Sequence, residues 1–216
     1  MKIVCISDTH CRFNDIKIPK CDILISCGDY SFKGTLEEVR KFHEWLNKQD
    51  AKFIISVQGN HELGVEKNFS LSKQIAEEAC PGVYFIEEGL VEIGNAKIWC
   101  SAITPFFCNW AYNRHRGEEI RKHWDKIPLD IDILVTHGPV QGVLDYVHGE
   151  HIGCLDLAKK IYDLKNLQLH VSGHIHCGYG IHKEGNMTYI NASICDEQYR
   201  PTNKPMVFNF KKSKTS

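Results

Sequence analysis

Lys2-Ile3-Val4-Cys5-Ile6-Ser7-Asp8-Thr9-His10 opens the chain with a β-branched run, apolar on both faces, that stops on an aspartate and a histidine. An apolar run without polar alternation is what a parallel strand buried on both faces requires. The same arrangement recurs four times. Ile23 to Cys27 stops on Gly28-Asp29, Phe53 to Val57 is followed by Gly59-Asn60-His61-Glu62, Ile131 to Val135 by Thr136-His137-Gly138, and Leu169 to Ser172 by Gly173-His174-Ile175-His176. Open α/β sheets bind ligands beyond the carboxyl ends of their strands, so these polar stops are expected to gather along one edge of one sheet. A single Asp-x-His or Gly-Asp is a common accident. Five stops that agree on one geometry are not.

Between these runs the pattern turns helical. Thr35-Leu36-Glu37-Glu38 reads as a capping box, followed by Leu36, Val39, Phe42, His43 and Leu46 on one face. That spacing puts His43 on a helix face rather than among the ligands. Ser70 to Ala79 reads as a second helix stopped by Pro81-Gly82, and further helices are expected over Glu118 to Trp124 and Leu155 to Leu164. Val83 to Ile86, Leu90 to Ile93 and Ala96 to Cys100 read as short strands of an antiparallel meander, and two more strands, Met187 to Asn191 and Met206 to Phe210, end the chain. Alternating βα units, then a meander, then further strands predict an α/β protein: a four-layer α/β/β/α sandwich of two mixed β-sheets. The aromatic-rich, aperiodic segment Thr104 to Gly117 is the expected loop over the site.

The chain has 216 residues, the length of one domain with a substantial core, expected over 1–210 with a disordered basic tail at 211–216. Its formal net charge of −1 provides no basic field for a nucleic-acid polymer. Met1 leads directly into a strand, and no apolar run is long enough for a bilayer, so a soluble, cytoplasmic protein without a membrane partner is expected. Ten cysteines are scattered singly with no C-x-x-C pair, which argues for free thiols in a reducing compartment.

The stops supply Asp8, His10, Asp29, Asn60, His137, His174 and His176, a set of carboxylate, amide and imidazole donors without thiolate. Such donors suit Mn, Fe, Zn or Ni, and seven are too many for one tetrahedral zinc. They fit two cations, divalent or mixed-valence, if one carboxylate bridges, and Asp29 is the solitary acid of the second stop. Two cations about 3.5–4 Å apart can hold a hydroxide and clamp both oxygens of an in-line displacement at phosphorus. His61 directly follows Asn60, so its imidazole is expected to enter the site at another angle, as general acid for the leaving alkoxide.

Asp8-x-His10, Gly28-Asp29, Gly59-Asn60-His61-Glu62, Thr136-His137-Gly138-Pro139 and Gly173-His174-x-His176 together resemble the five ordered motifs of the calcineurin-like metallophosphoesterase superfamily. Ile190-Asn191-Ala192-Ser193 is similar to a strand often found after the last motif, and Gly28 to Gly34, Trp110 to Gly117, Thr136 to Gly142 and Gly173 to Gly180 resemble the small metallophosphoesterase-domain-containing branch. The resemblance implies that Asp8, His10 and His176 hold one metal, Asn60, His137 and His174 the other, with Asp29 between them. It also implies His61 as general acid and tight turns at Gly59 and Gly173.

Departures from related patterns narrow the substrate. Protein serine/threonine phosphatases extend the second motif as Gly-Asp-x-x-Asp-Arg-Gly; here it reads Gly28-Asp29-Tyr30-Ser31-Phe32-Lys33-Gly34, so the acid that would orient His61 is missing. Purple acid phosphatases carry a tyrosine where Phe32 stands. Phe107, Trp110, Arg114 and Arg116 are candidates to stack a base and pair a phosphate, which makes a small nucleotide-like phosphodiester or monoester the expected substrate. Two other readings stand beside it: a non-catalytic metal-binding scaffold of the same fold, and a nuclease on polymeric nucleic acid, which lacks the basic stripe it would need.

Overall fold

Period-two alternation in the first strand assigns its residues to two cores. In the computed structural model, which describes residues 1–212, β1 (Lys2–Ile6) directs Ile3 and Cys5 into one hydrophobic cluster and Val4 and Ile6 into another. β2 (Cys21–Ser26) and β3 (Ala51–Val57) continue the pattern, with Ile23, Ile25, Ile55 and Val57 in the first cluster and Leu24 and Ile54 in the second. The second cluster is closed by α1 (Leu36–Leu46) and α3 (Phe69–Ala79), which follows the five-residue α2 (Leu63–Lys67). The α1 capping box is formed: Glu38 N donates to Thr35 Oγ1 at 3.2 Å and Thr35 N to the Glu38 carboxylate at 2.9 Å. His43 lies buried on the inner face of α1, bonded to Ser56 Oγ at 3.1 Å.

The chain changes sheets where a continuous meander was expected. β4 (Tyr84–Ile86) pairs in parallel with β3, whereas β5 (Glu88–Ile93) and β6 (Ala96–Ser101) form an antiparallel pair in the other sheet. Glu87 is the crossing point between the two sheets, and Gly94-Asn95 closes the β5–β6 hairpin. The short β7 (Thr104–Pro105) and β8 (Asn113–Arg114) then pair with each other. After α4 (Glu118–Trp124) come β9 (Ile133–Thr136), the ribbon of β10 (Tyr146–Val147) and β11 (Glu150–His151), α5 (Leu155–Asp163) and β12 (Leu169–Ser172). β13 (Gly180–Glu184), β14 (Met187–Asn191) and β15 (Met206–Asn209) complete the described strands.

The first sheet runs β15-β1-β2-β3-β4 and the second β13-β14-β12-β9-β6-β5, each mixed through antiparallel strands at its edges. Ile98, Cys100, Ile133, Val135, Leu169 and Val171 of the second sheet join Ile3, Ile23 and Ile55 of the first in one core. α4 and α5 add Ile120, Trp124 and Leu157 to it. The architecture is the four-layer α/β/β/α sandwich. One expectation is corrected: the five stops do not share a sheet. β1, β2 and β3 lie in the first sheet and β9 and β12 in the second. Their carboxyl ends meet because the backbone bonds Ser7 N to Ala192 O at 2.9 Å and Ile194 N to Ser7 O at 2.8 Å lace the sheets together there.

No helix among the described residues is long and apolar enough to cross a membrane. Of the basic tail expected over 211–216, Lys212 sets its ammonium 3.0 Å from Asp132 Oδ2. Residues 213–216 lie outside the described residues.

Candidate metal centre

Four of the seven ligand-type residues take left-handed backbone at the strand ends: Asp8 (φ 51°), His10 (φ 40°), Asp29 (φ 51°) and His174 (φ 66°). Each such residue costs of the order of 1–3 kcal/mol, and strain of this kind collects at functional sites. The turn aims the side chain across the gap between the sheets. Gly59 O and Gly173 O accept turn bonds from Glu62 N at 3.2 Å and Ile175 N at 2.7 Å, the expected tight turns, without a positive φ at either glycine. A Cβ at Gly173 would collide with Ser7 Oγ and the Asp8 carboxylate, and one at Gly59 with Asp29 Oδ1. Close approach, rather than turn conformation, requires glycine there.

The resulting cluster is tight. His176 Nε2 lies 3.3 Å from His10 Nε2 and 3.4 Å from Asp8 Oδ1; His137 Nε2 lies 2.8 Å from Asn60 Oδ1 and 3.3 Å from Asp29 Oδ2. Three overlapping groups, Asp8-His10-His176, His10-Asp29-His61 and Asp29-His137-His174, bring their ligand atoms within 4.8 Å of one another. Asp29 and His10 each belong to two of them. His137 and His176 turn their Nδ1 atoms to the carbonyls of Cys27 and Asp196, both at 2.8 Å, which directs Nε2 inward. His10 Nε2 meets His176 Nε2, and the buried His10 Nδ1 has no hydrogen-bond partner. This all-nitrogen-and-oxygen donor set fits divalent transition metals.

Charge in the metal-free protein is divided among the imidazoles. Burial opposes protonation, yet Asp29 lifts His137 to about 9 and Asp8 lifts His176 to about 9. Burial lowers His10 and His174 to about 4. Burial alone would raise Asp8 and Asp29, but His176 and His137 hold these carboxyls well below the usual range. The stability contributed by charged His137 and His176 is therefore fully present below the ordinary 6.5 and lost as pH rises through about 9. That from neutral His10 and His174 is lost as pH falls from 6.5 to about 4. Thermal unfolding of the metal-free protein should reach its highest midpoint near pH 6.5 and decline toward pH 9. A midpoint that keeps rising to pH 9 would contradict this charge assignment.

Three features were not legible in the sequence. His61 Nδ1 lies 3.1 Å from the Phe32 carbonyl, and its Nε2 lies 4.0 Å from Asp29 Oδ2, so a backbone acceptor orients the ring in place of the missing acid. The Glu62 carboxylate is fully buried and accepts from Asp29 N (2.8 Å), Gly59 N (2.7 Å), Ser31 N (3.1 Å) and Ser31 Oγ (2.7 Å), tying two strand ends together. Burial, reinforced by Asp29, pushes its carboxyl up to about 8, against four donors that all favour the ionised form. Glu62→Ala strands three buried N–H groups and should cost about 3 kcal/mol or more in denaturant unfolding, with Glu62→Gln retaining part of it. Finally, Tyr199 (φ 57°) packs its ring 4.6 Å from His10 and 5.7 Å from His176.

The strand after the last motif also has a role. Asn191 Nδ2 donates to Ile175 O at 2.8 Å, and Ser193 Oγ to Asp8 Oδ2 at 2.9 Å. In the expected loop, Ala111 N bonds Asn60 O at 3.1 Å and the Trp110 ring lies 4.3 Å from that of His61. Phe107 and Arg116 line a cavity of about 460 Å³ beside His174 and His176. Arg116 donates both terminal nitrogens to the carbonyls of Gly153 and Ile152, at 2.8 and 2.6 Å. Arg114 is not among that cavity's lining residues; it donates to Asn113 O and lies 3.9 Å from Glu66.

Comparison with known proteins agrees with this geometry. A family model described as calcineurin-like phosphoesterase matches residues 1–178. Metallophosphoesterase domain-containing protein 1 of Homo sapiens is 35% identical over 229 residues, covering 96% of this chain and 70% of its own. A UPF0046 protein of Caenorhabditis elegans is 31% identical over 226 residues, covering 100% of this chain and 77% of its own. One solved structure, 17% identical, superposes with a TM-score of 0.68 over 97% of this chain and 99% of that one, a likeness of fold. With a family model spanning most of its length and His/Asp clusters suited to metal at the matched strand ends, the chain belongs to the calcineurin-like phosphoesterase family of metal-dependent phosphoesterases.

Proposed function

We propose that the chain hydrolyses small, nucleotide-like phosphodiesters or phosphomonoesters at a dinuclear centre. In this reading Asp8, His10 and His176 hold one cation, Asn60, His137 and His174 the other, Asp29 is shared, and His61 is the general acid. The observation that carries it is the run of overlapping ligand groups: His10 links Asp8 and His176 to Asp29, and Asp29 in turn joins His137 and His174, with His61 Nε2 facing it at 4.0 Å. Divalent cations bound there supply Lewis acidity, lowering the pKa of water from 15.7 toward roughly 7 and neutralising phosphoryl oxygens. The chain's own residues do the rest. Phe32 O holds His61 Nδ1–H, so the proton for the leaving oxygen sits on Nε2; Trp110 covers the ring and limits water around it. Ten free cysteines support a reducing, cytoplasmic setting.

A scaffold without catalysis has no need of an imidazole held at this angle, and a net charge of −1 gives no support for a polymeric nucleic-acid substrate. The test is a panel of bis-p-nitrophenyl phosphate, p-nitrophenyl phosphate, cyclic nucleotides and AMP with Mn-, Fe-, Zn- or Ni-loaded protein. Turnover of at least one ester, lost on chelation and restored by metal, is expected. No turnover with any of these metals would leave the scaffold.

A further inference from the structure

The 460 Å³ cavity opens beside His174 and His176, which line it. Its lining includes Phe107, Tyr199, Val147 and Ile152, but neither His61 nor Trp110. Phe107 lies 6.4 Å from His174, and Tyr199 lies 5.7 Å from His176 and 6.4 Å from His61. Both are accessible, Phe107 at 58% and Tyr199 at 39%. The charges at the cavity do not suit a second anion. Arg116 spends both terminal nitrogens on Ile152 O and Gly153 O, bracing the wall, and Glu197 adds a carboxylate.

Resting on the phosphoesterase reading above, we infer that this cavity receives the ester group that stays on phosphorus, and that Phe107 and Tyr199 select it as an uncharged, flat or apolar group. In an in-line displacement the water oxygen forms a bond to phosphorus while the opposite P–O bond breaks, and the departing oxygen takes the proton from His61 Nε2. The departing group is thus on the His61 side, and the second substituent of a diester is directed elsewhere. A cavity walled by aromatic and aliphatic side chains is available for it on the His174–His176 side. A monoester has nothing to put there. The inference therefore makes the protein a diesterase by preference, with the retained group as the recognised one.

Bis-p-nitrophenyl phosphate and methyl p-nitrophenyl phosphate share a leaving group and differ only in the retained group. The ratio of their kcat/KM values, compared between wild type, Phe107→Ala, Tyr199→Ala and the double variant, cancels intrinsic reactivity. Burial of one aryl group is expected to raise the wild-type ratio on the order of 10–100-fold, and the double variant should lose most of that gain. Ratios equal within about twofold in all four proteins would overturn the inference while leaving the phosphoesterase reading intact. Binding is read independently by calorimetry of the metal-loaded protein with phenylphosphonate and methylphosphonate. Preference for the phenyl compound, reduced in both single variants, is expected; equal affinities would overturn the inference even if no ester is turned over, an outcome that would separately end the phosphoesterase reading.

Discussion

Asp29→Ala is expected to leave the protein without its metals and without turnover. The Asp29 carboxylate is the one acid common to two of the three ligand clusters, 3.3 Å from His137 Nε2, and its other oxygen accepts from His61 N at 2.8 Å. Its removal takes away the charge shared between the two proposed cations and the counter-charge that holds His137 protonated in the metal-free state. Losing one such preorganised charge typically costs on the order of 10²–10³ in rate, and loss of the metals themselves should exceed that. Elemental analysis after loading and desalting should show metal falling from two equivalents toward none. Asp29→Asn, which keeps the shape and one oxygen, should retain part of the loading. Two full equivalents in the alanine variant would mean that Asp29 is not shared.

His61→Ala should behave in the opposite way: both metals stay and turnover slows by about 10²–10⁴-fold, the usual contribution of general acid catalysis. The reason is the division of its ring. Nδ1 is occupied by Phe32 O at 3.1 Å, and Nε2 is left facing the centre without a direct bond to Asp29. The loss should also depend on the ester, being smallest for a p-nitrophenolate that leaves well without a proton and largest for an alkoxide. His61 nevertheless shares a cluster with His10 and Asp29, so the variant's metal content decides between two chemistries. A drop to one equivalent would make His61 a ligand.

Much of this was legible because it is local. A both-faces-apolar run ending on a donor needs only nine residues, as in Lys2 to His10, and the Thr35–Glu38 cap needs four. What was not legible depends on partners distant in sequence. Nothing near Glu62 shows that it will accept from Asp29 and Ser31, some thirty residues away. The group that orients His61 is a backbone carbonyl, which every residue carries, so no side-chain pattern announces it. The chain's change of sheet at Glu87 hides behind turn-like residues, and this is why five strand ends read as one edge when they are two edges face to face. Tyr199 is one aromatic in a polar stretch, and only the fold brings it to His10 and His176.

The central claim is that these two facing edges build one dinuclear centre around Asp29. Anomalous diffraction from crystals of the manganese-loaded protein tests it most directly. The account predicts two peaks, about 3.5–4 Å apart, with the Asp29 carboxylate between them. A single peak, or two that do not share Asp29, would contradict it.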